Sequence, residues 1–566
     1  MIKQIIIVII SFLSFQNIFS QTPGVDWGNE FKMNKKGGDL EVIYTDNSGI
    51  YIKESHIVIK RLSLIGAVRE SATLIKCDKN LKKIYTSDFN SELRSKEFER
   101  LMFLNNRLFL FATDYVKRDG MLILYGVEIN KDNGKMVGSW KEIANWEKEE
   151  KGDDLQYQMS YNYDSSRLIV VSTREGKARN NYEVRQYDAD LNPITKPVNI
   201  TNEFSPKTFG LEDILFTRNG NVVVVAKIFE AASGKNKSPL FKGYSVRLYS
   251  PAAKLIKDIS PGDKNIIPLR LQVVQQQQEQ LAVIAFYCTE VGGNIKGIMT
   301  AKVDPETGNI LASYNKEINA EIVGEPDSPE NEPDSLKVPA GADLGISKSM
   351  IFRNIVYTPD NGLVVIAEKT NTYSYSRTTS TSRSSMGGYS STTNYYTAYD
   401  CEEVMIFKVS ANCEINWLKG LPKFQHEVIE TGSNTTGGYP GGDITTPNSY
   451  YAARINRPYY AGFGVYINDD KVSLIVNDYD VNAQITRLGQ KPRKVSFMGH
   501  TVCYAISYDF NDGNCTRTIL FSNREKGVPT AMPRLGKMLG SDFYMVGKQD
   551  RVMGKSKVAI AKLSID

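Results

Sequence analysis

The amino-acid sequence predicts an all-β chain assembled from about eight repeats of four short strands. Three observations support this prediction. A strongly apolar run rich in β-branched residues recurs once in each repeat, and a tight turn rich in Asp, Asn and Gly recurs at a fixed place after it. In addition, the last repeat holds only three strands, while one short apolar segment near the N-terminus has no partner nearby.

The apolar runs are the second strands of the repeats. They are short, contain many β-branched residues and end at Asn, Asp or Gly, which favours strands buried on both faces over helices. Five of them are Leu108–Ala112, Leu168–Ser172, Val222–Ala226, Leu281–Ala285 and Leu363–Ala367.

Asn181–Ile200 shows how a repeat ends. Tyr182 and Val184 alternate with charged residues, which is the pattern of a half-buried strand. Asp188–Asn192 then supplies turn residues, and a further short run leads to Ile200. The segment is therefore predicted to be a β-hairpin formed by the third and fourth strands.

A single four-stranded sheet cannot bury both faces, and radial stacking of such sheets solves that problem. The sequence therefore predicts a β-propeller of about eight blades, with seven as the alternative if the weak last repeat is merged. Val25–Met33 is expected to complete the last blade, so that pairing of the N- and C-terminal strands closes the ring. The layout resembles β-propellers of the general WD-repeat or kelch-like kind. This resemblance covers essentially the whole chain after residue 20, but the family signatures are absent, so it implies a fold and no site residues.

Met1–Ser20 has the pattern of a secretory signal. Lys3 supplies the positive charge, Ile5–Phe15 is the apolar region, and cleavage is expected after Ser20. The alternative is an uncleaved membrane anchor. We expect an exported protein, periplasmic or at the cell surface, with residues 21–566 forming the propeller.

Composition limits the remaining classes of function. The net charge is +5 with no basic stripe, so a nucleic-acid partner is not expected. The six cysteines suit an exported chain. The Cys401/Cys413 and Cys503/Cys515 pairs share one spacing, which we interpret first as repetition and second as two disulfides.

The long connections all fall between second and third strands or between blades, which places them on one face of the ring. The most extended are predicted to be loops at residues 316–348, 371–402 and 419–458, with shorter ones at 230–242 and 479–500. Tyrosine and serine enrichment in two of them is typical of recognition surfaces, although low-complexity disorder gives the same composition. The candidate binding residues are Tyr373, Tyr375, Tyr389, Tyr395, Tyr396, Tyr399, Tyr450 and Tyr451.

Catalytic motifs are not apparent. His56, His426 and His500 lack metal-ligand spacing, so no metal and no cofactor are expected. The turns at Asp188–Asn192 and Asp509–Asn514 lack the length and the bidentate Glu of a calcium loop. The sequence therefore favours a non-catalytic protein-interaction module, and a cell-envelope or secretion assembly is one setting that would suit it. The alternatives are a glycan-binding or glycan-active propeller and a structural or adhesion module at the cell surface.

Overall fold

The computed structural model describes residues 24–32, 37–59, 68–148, 154–161, 165–175, 180–202, 208–230, 239–261, 266–275, 280–290, 293–318, 349–381, 390–436, 444–447, 457–486, 488–525, 528–549 and 557–564. Most of these residues are in strands. Helical structure is limited, within these ranges, to two single 3₁₀ turns at Asp480–Asn482 and Met498–His500. No described helix therefore has the length and apolar character needed to cross a membrane. The predicted signal segment lies outside the described ranges.

The N-terminal segment and the first four blades contain eighteen strands. They are β1 (Gly24–Trp27), β2 (Phe31–Lys32), β3 (Gly37–Asp46), β4 (Gly49–Ile59), β5 (Val68–Cys77), β6 (Lys83–Asp88), β7 (Glu97–Leu104), β8 (Arg107–Val116), β9 (Met121–Ile129), β10 (Met136–Glu147), β11 (Asp154–Tyr161), β12 (Leu168–Glu175), β13 (Asn180–Tyr187), β14 (Val198–Asn202), β15 (Phe209–Phe216), β16 (Val222–Glu230), β17 (Leu240–Tyr249) and β18 (Leu255–Ile259).

The last four blades contain the remaining strands. They are β19 (Ile267–Gln275), β20 (Leu281–Cys288), β21 (Gly297–Val303), β22 (Ile310–Glu317), β23 (Met350–Tyr357), β24 (Leu363–Thr381), β25 (Ser390–Val409), β26 (Ile415–Leu421), β27 (Gln425–Thr436), β28 (Ile444–Pro447), β29 (Phe463–Ile467), β30 (Lys471–Asp478), β31 (Val502–Asp509), β32 (Cys515–Ser522), β33 (Thr530–Leu539), β34 (Asp542–Gln549) and β35 (Lys557–Ser564).

The strands form eight antiparallel sheets, which confirms the predicted propeller of eight four-stranded blades rather than seven. Blades one to seven follow chain order, beginning with β3–β6 and ending with β29–β32. Because neighbouring strands alternate in direction, connections between second and third strands leave a blade at the same edge as connections between blades. The described additions beyond the second and third strands of blade six, the segment that carries β27 and β28, and the connection between β30 and β31 are all of these two kinds, so they belong to one face of the ring.

The second strands are buried on both faces, as predicted. In β20 every residue is buried, and its side chains alternate between two cores. Leu281 and Val283 pack toward blade four, whereas Ala282 and Ile284 pack toward blade six. A strand with two apolar neighbours has no polar side, which explains the unbroken apolar run.

Eight clusters of buried side chains hold the blades together, one between each pair of consecutive blades. The cluster that joins blade eight to blade one includes Ile560 and Met532 on one side and Ile50 and Val42 on the other. The contacts therefore run around a complete cycle.

The two ends of the described chain form the eighth blade together. β1 pairs antiparallel with β35, so the N-terminal strand is the fourth strand of a blade whose other three strands are C-terminal. β2 pairs with the beginning of the same strand, and Gly28 N–H donates to Ile560 O at 2.9 Å between them. The predicted pairing of the termini is confirmed.

The hairpin turns explain the recurrent Asp, Asn and Gly. In the turn after β13, Asp188 N–H donates to Asn192 O, and Leu191 adopts a left-handed φ of 59°. The corresponding position is Gly308 in the fifth blade and Cys413 in the sixth, with φ of 71° and 69°. Leu191 is only 3% exposed and packs into the core between blades two and three, which offsets the cost of its backbone conformation.

All six cysteines are free thiols. The equal spacing of the two pairs does not mark equivalent positions. Cys413 lies within the turn before β26, whereas Cys515 is the first residue of β32 and pairs with Tyr508. The prediction of repeated blades is confirmed, but the spacing of these cysteines is not evidence for it.

Two of the predicted loops are wrong. Residues 371–402 largely continue β24 and β25, and residues 419–458 contain β27 and β28. The Ser/Thr-rich composition suggested loops, yet the alternation of Tyr with Ser in NTYSYS fits a strand with one aromatic face. The loop predicted at 316–348 begins with the end of β22, and residues 319–348 lie outside the described ranges.

Candidate functional site

Blade six carries a second sheet beyond the ring. We call it the extension sheet: residues 370–381 of β24, residues 390–401 of β25, β27 and β28. β24 and β25 pair continuously from Thr370–Cys401 to Thr381–Ser390. β27 then pairs along the far side of β25, and β28 pairs with β27. β23 pairs with β24 only as far as Lys369, so the outer side of β24 beyond it has no strand partner among the described residues.

The predicted tyrosines divide between the two faces of this sheet. Tyr375 lies opposite Tyr396 on the neighbouring strand, and their rings stack at 5.3 Å. Tyr373 follows on the same face at 6.2 Å from Tyr375, and the Arg377 guanidinium lies 5.5 Å from the Tyr375 ring. We call these four residues the tyrosine face. Tyr373 is 43% exposed, so the face offers aromatic surface to solvent.

The opposite face carries hydroxyl groups. The side chains of Ser374 and Thr397 are hydrogen-bonded at 2.8 Å, and those of Thr378 and Thr393 at 2.9 Å. Tyr395 belongs to this face and is 44% exposed. The structure therefore does not bring all the predicted tyrosines together.

Tyr399 has a structural position. It is only 4% exposed and lies in the core cluster that joins blade eight to blade one, together with Ile429 and Tyr459. The extension sheet therefore starts by packing across the ring onto blades one and eight. Tyr389, Tyr450 and Tyr451 lie outside the described residues.

A buried ionic group fixes the root of the extension sheet. The Glu368 carboxylate is fully buried, with Lys423 Nζ at 2.7 Å and Arg353 Nε at 2.9 Å. Arg534 Nη1 of blade eight lies 4.0 Å from the same carboxylate. Burial alone raises the pKa of a carboxyl, but these cations outweigh it and lower the pKa of Glu368 below its usual value. Glu368 is therefore held as a carboxylate.

A second buried carboxyl ties the extension sheet to blade seven. Glu427 accepts the backbone N–H groups of Tyr459, Tyr460 and Ala461 at 3.0, 2.8 and 2.9 Å. Burial raises the pKa of Glu427 in spite of these donors. Beside it, Gln425 accepts from Gly462 N–H at 2.7 Å. The start of β27 is thus fastened to the segment that leads into β29.

The connection within blade seven packs against the same root. Val495 forms a parallel bridge with Gln425, and its N–H donates to Phe424 O at 2.8 Å. Val495 and Met498 form a small core with Cys401 and Ala461. This packing leaves Phe497 70% exposed. The elaborations of blades six and seven are therefore one connected structure on one face of the ring.

A cavity of about 450 Å³ lies beneath this structure, between the first strands of blades six, seven and eight. We call it the basic cavity, because Arg353, Arg457, Arg534 and Lys537 line it against a single carboxylate, Glu368. Arg457 also contacts Glu41 of blade one, with 3.0 Å between Nη2 and Oε2. No local pattern in the sequence indicates this site, since its residues come from separate blades.

A second cavity, of about 380 Å³, lies among the first strands of blades three to six. Its lining mixes apolar residues, among them Ile214 and Phe352, with polar ones, and it includes both Asp213 and Arg353. Burial raises the pKa of Asp213 to about 6. The pKa values of the carboxyl groups in these two cavities are thus shifted in opposite directions. The pKa of Asp213 is raised, whereas that of Glu368 is lowered by its neighbouring cations.

Metal chemistry finds no support in the ranges that the structure describes, where no group of three or more His, Cys, Asp or Glu residues is placed to hold an ion. Of the histidines, His426 pairs with Asp400 at 2.6 Å between β27 and β25. His56 is buried and lies 3.1 Å from the Asn90 side chain. Both therefore have structural contacts.

Comparison with known proteins gives limited information. No family model matches the sequence, and no curated protein matches it. Among solved structures, the β-propeller domain of the trilobed protease from Pyrococcus furiosus is 8% identical, covers 75% of this chain and 99% of its own, and has a TM-score of 0.30.

Two further solved structures with very low identity are similar. Prolyl oligopeptidase B from Galerina marginata is 11% identical over 59% of this chain and 39% of its own, with a TM-score of 0.28. An α-L-arabinofuranosidase from Fusarium graminearum is 9% identical over 61% and 92%, also at 0.28. This chain thus spans about two fifths of that oligopeptidase. At such scores none of these activities is transferred, and the fold assignment rests on the strand pairing described above.

Proposed function

We propose that this protein is an exported β-propeller that binds a protein partner through the extension sheet of blade six. The single observation that supports this most is the tyrosine face, where Tyr373, Tyr375 and Tyr396 lie at fixed register on a sheet that stands outside the ring. Seven of the eight interblade clusters contain no residue of this sheet. Only the cluster between blades eight and one includes Tyr399 and Ile429 from it, so most of the sheet is additional to the propeller cores.

The extension sheet offers two modes of contact. Tyrosine rings supply large contact area at low cost in side-chain entropy, which is why they are enriched in protein interfaces. The outer side of β24 from Thr370 to Thr381 presents backbone donors and acceptors along a strand edge, and such edges bind extended peptides by strand addition. The buried ion group at Glu368 holds the sheet in place, which limits the entropy lost on binding.

The test compares variants in affinity purification from the native host. Tyr373, Tyr375 and Tyr396 are replaced together by Ser, and Tyr115→Ser serves as control because Tyr115 is 45% exposed near the same face but on blade two. We expect the triple variant to keep its fold by circular dichroism and to lose the specifically captured protein, while the control keeps it. Capture that is equal for both variants would exclude the tyrosine face as the binding surface.

A glycan-active role is the second candidate, and Asp213 is the observation that favours it. A carboxyl that lines a cavity and whose pKa is raised by burial to about 6 has the character of a general acid in glycoside hydrolysis. The test is release of reducing sugar from envelope polysaccharide by wild type and by Asp213→Asn. Release that disappears in Asp213→Asn would favour this role, and an absence of release from every polysaccharide tried would remove it.

A further inference from the structure

The charge of the basic cavity is not balanced. Four cationic side chains line it, and Glu368 is the one carboxylate among the lining residues. Glu368 is shared among three cations, with Lys423 at 2.7 Å, Arg353 at 2.9 Å and Arg534 at 4.0 Å. Outside the lining, Glu41 pairs with Arg457. The pKa of Arg534 is lowered first by burial and then by repulsion from Arg353 and Arg457. These cations are therefore close enough to oppose one another.

One nitrogen of the Arg534 guanidinium illustrates this surplus of positive charge. Arg534 Nη1 is buried and has no hydrogen-bond partner among the residues that the structure describes, and Glu368 Oε2 is at 4.0 Å. A buried donor without an acceptor is costly and is usually satisfied by water or by a ligand. The guanidinium lies directly against the backbone, since a Cβ at Gly462 would lie 2.9 Å from Arg534 Nη1. Gly462 has a φ of +94°, which further disfavours any other residue there.

The rest of the cavity wall is apolar. Its apolar lining comes from the first strands of blades six, seven and eight and consists of Ile355, Val356, Phe463, Val465, Ile467 and Met538. A volume of about 450 Å³ is within the range of small-molecule sites, in which apolar walls surround a few placed polar groups. Arginine is the side chain whose planar donors match a carboxylate.

We propose that the basic cavity binds a small organic carboxylate, with its acid group at Arg534 and its apolar portion against the walls of blades six and seven. The carboxylate supplies the acceptor that Arg534 Nη1 lacks and offsets the surplus of positive charge. Lys537, which is exposed in the cavity lining, steers the anion toward the site. This site is separate from the tyrosine face, so either proposal stands without the other.

The experiment uses the full chain and isothermal titration calorimetry with 4-phenylbutyrate. Its neutral analogue, 4-phenylbutanamide, and acetate serve as matched ligands that lack the charge or the apolar portion. Arg534→Gln removes the residue proposed to bind the ligand's carboxylate. Lys537→Gln tests the same site and leaves the ion group around Glu368 unchanged. Arg524→Gln is the protein control, because Arg524 is an exposed cation paired with Asp480 on the same face.

We expect 4-phenylbutyrate to bind at least about tenfold more tightly than either matched ligand, because the amide loses one charge-assisted contact and acetate loses the apolar contact with the walls. Lys537→Gln should weaken binding about threefold, and Arg524→Gln should leave it unchanged. If Arg534→Gln folds, it should weaken binding about tenfold or more. Absence of binding, equal binding of the amide, or equal affinity in Lys537→Gln and wild type would each overturn the proposal.

Discussion

Glu368→Gln is the perturbation that tests most sharply how the extension sheet is attached. The carboxylate is 1% exposed and accepts from Lys423, which is itself 2% exposed, and from Arg353. The glutamine keeps the size of the side chain but removes its charge. The buried Lys423 and the partly exposed Arg353 then lose their counter-charge, and a glutamine N–H₂ group replaces an acceptor beside Lys423.

The magnitude follows from the burial of both partners. Breaking a buried ion pair by removing one partner costs about 3–5 kcal/mol, because the other charge stays buried without compensation. The unfolding entropy of a chain of this size is about 1 kcal/mol per kelvin, so the melting temperature should fall by about 3–5 °C if the ring melts as one unit. Lys423→Met in the Glu368→Gln background should recover part of this loss, since the uncompensated charge is gone.

The assay is thermal unfolding followed by circular dichroism, with Glu212→Gln as the matched control. Glu212 pairs with Lys227 at 2.6 Å, but its side chain is 37% exposed, so this change should cost less than about 1 kcal/mol. Equal melting temperatures for the two variants would refute the reasoning, because the ion group at Glu368 would then contribute no more than a surface pair. So would a Lys423→Met double variant that is less stable than Glu368→Gln alone.

Three further predictions concern stability. Leu191→Gly should destabilise the protein by about 2–3 kcal/mol, because a buried side chain is lost and only about 1 kcal/mol of left-handed backbone strain is relieved. Ala253→Gly, at a φ of 61°, should be neutral or should stabilise the protein by about 0.5 kcal/mol. Urea unfolding of the two variants measures this difference. Burial favours a higher pKa for Glu41, but its cationic neighbours lower it to about 2, so its contribution is complete above about pH 4.5 and is lost as the pH falls toward 2. Melting curves from pH 5 to 2.5 should therefore converge for wild type and Arg457→Gln, and a constant gap would contradict this. Trp27→Ala should destabilise the protein by about 2–3 kcal/mol, because Trp27 on β1 packs edge-on against Phe521 with 5.7 Å between the ring centres. An unchanged melting temperature would argue against ring closure by the terminal strands.

The repeat architecture could be predicted from the sequence because each blade repeats one local pattern. The run Leu281–Ala285 indicates a strand with apolar neighbours on both sides, and the leftover segment at Val25 indicates a blade shared by the two termini. Both conclusions depend only on burial and on the number of strands. Neither requires knowledge of which blade a given side chain will meet.

The Ser/Thr-rich composition of the extension sheet predicts loops, whereas the alternation of its residues predicts strands, and the structure agrees with the alternation. Tyr373 and Tyr375 alternate with Ser374, which is the period of a strand with one aromatic face. Tyr399, only a few residues beyond Tyr396, turned out to be part of a core between two distant blades. Tyr399 is buried because the extension sheet packs across the ring, and no local sequence pattern predicts such a contact.

The basic cavity could not be predicted at all. Arg353 and Arg534 are separated by 181 positions in the chain, and each looks like an ordinary strand residue in its own repeat. They meet because the first strands of the blades converge around the ring axis. Interactions of this kind are set by the closure of the ring, so the sequence of one blade carries no sign of them.

Photo-crosslinking in the native host tests the central claim most directly. A benzophenone amino acid is placed at Tyr373 on the tyrosine face and, in a parallel strain, at Tyr115 on blade two, where exposure is similar. The account predicts one discrete protein adduct from position 373 and none of the same mass from position 115. The same adduct from both positions, or an adduct from position 115 alone, would contradict a partner-binding extension sheet.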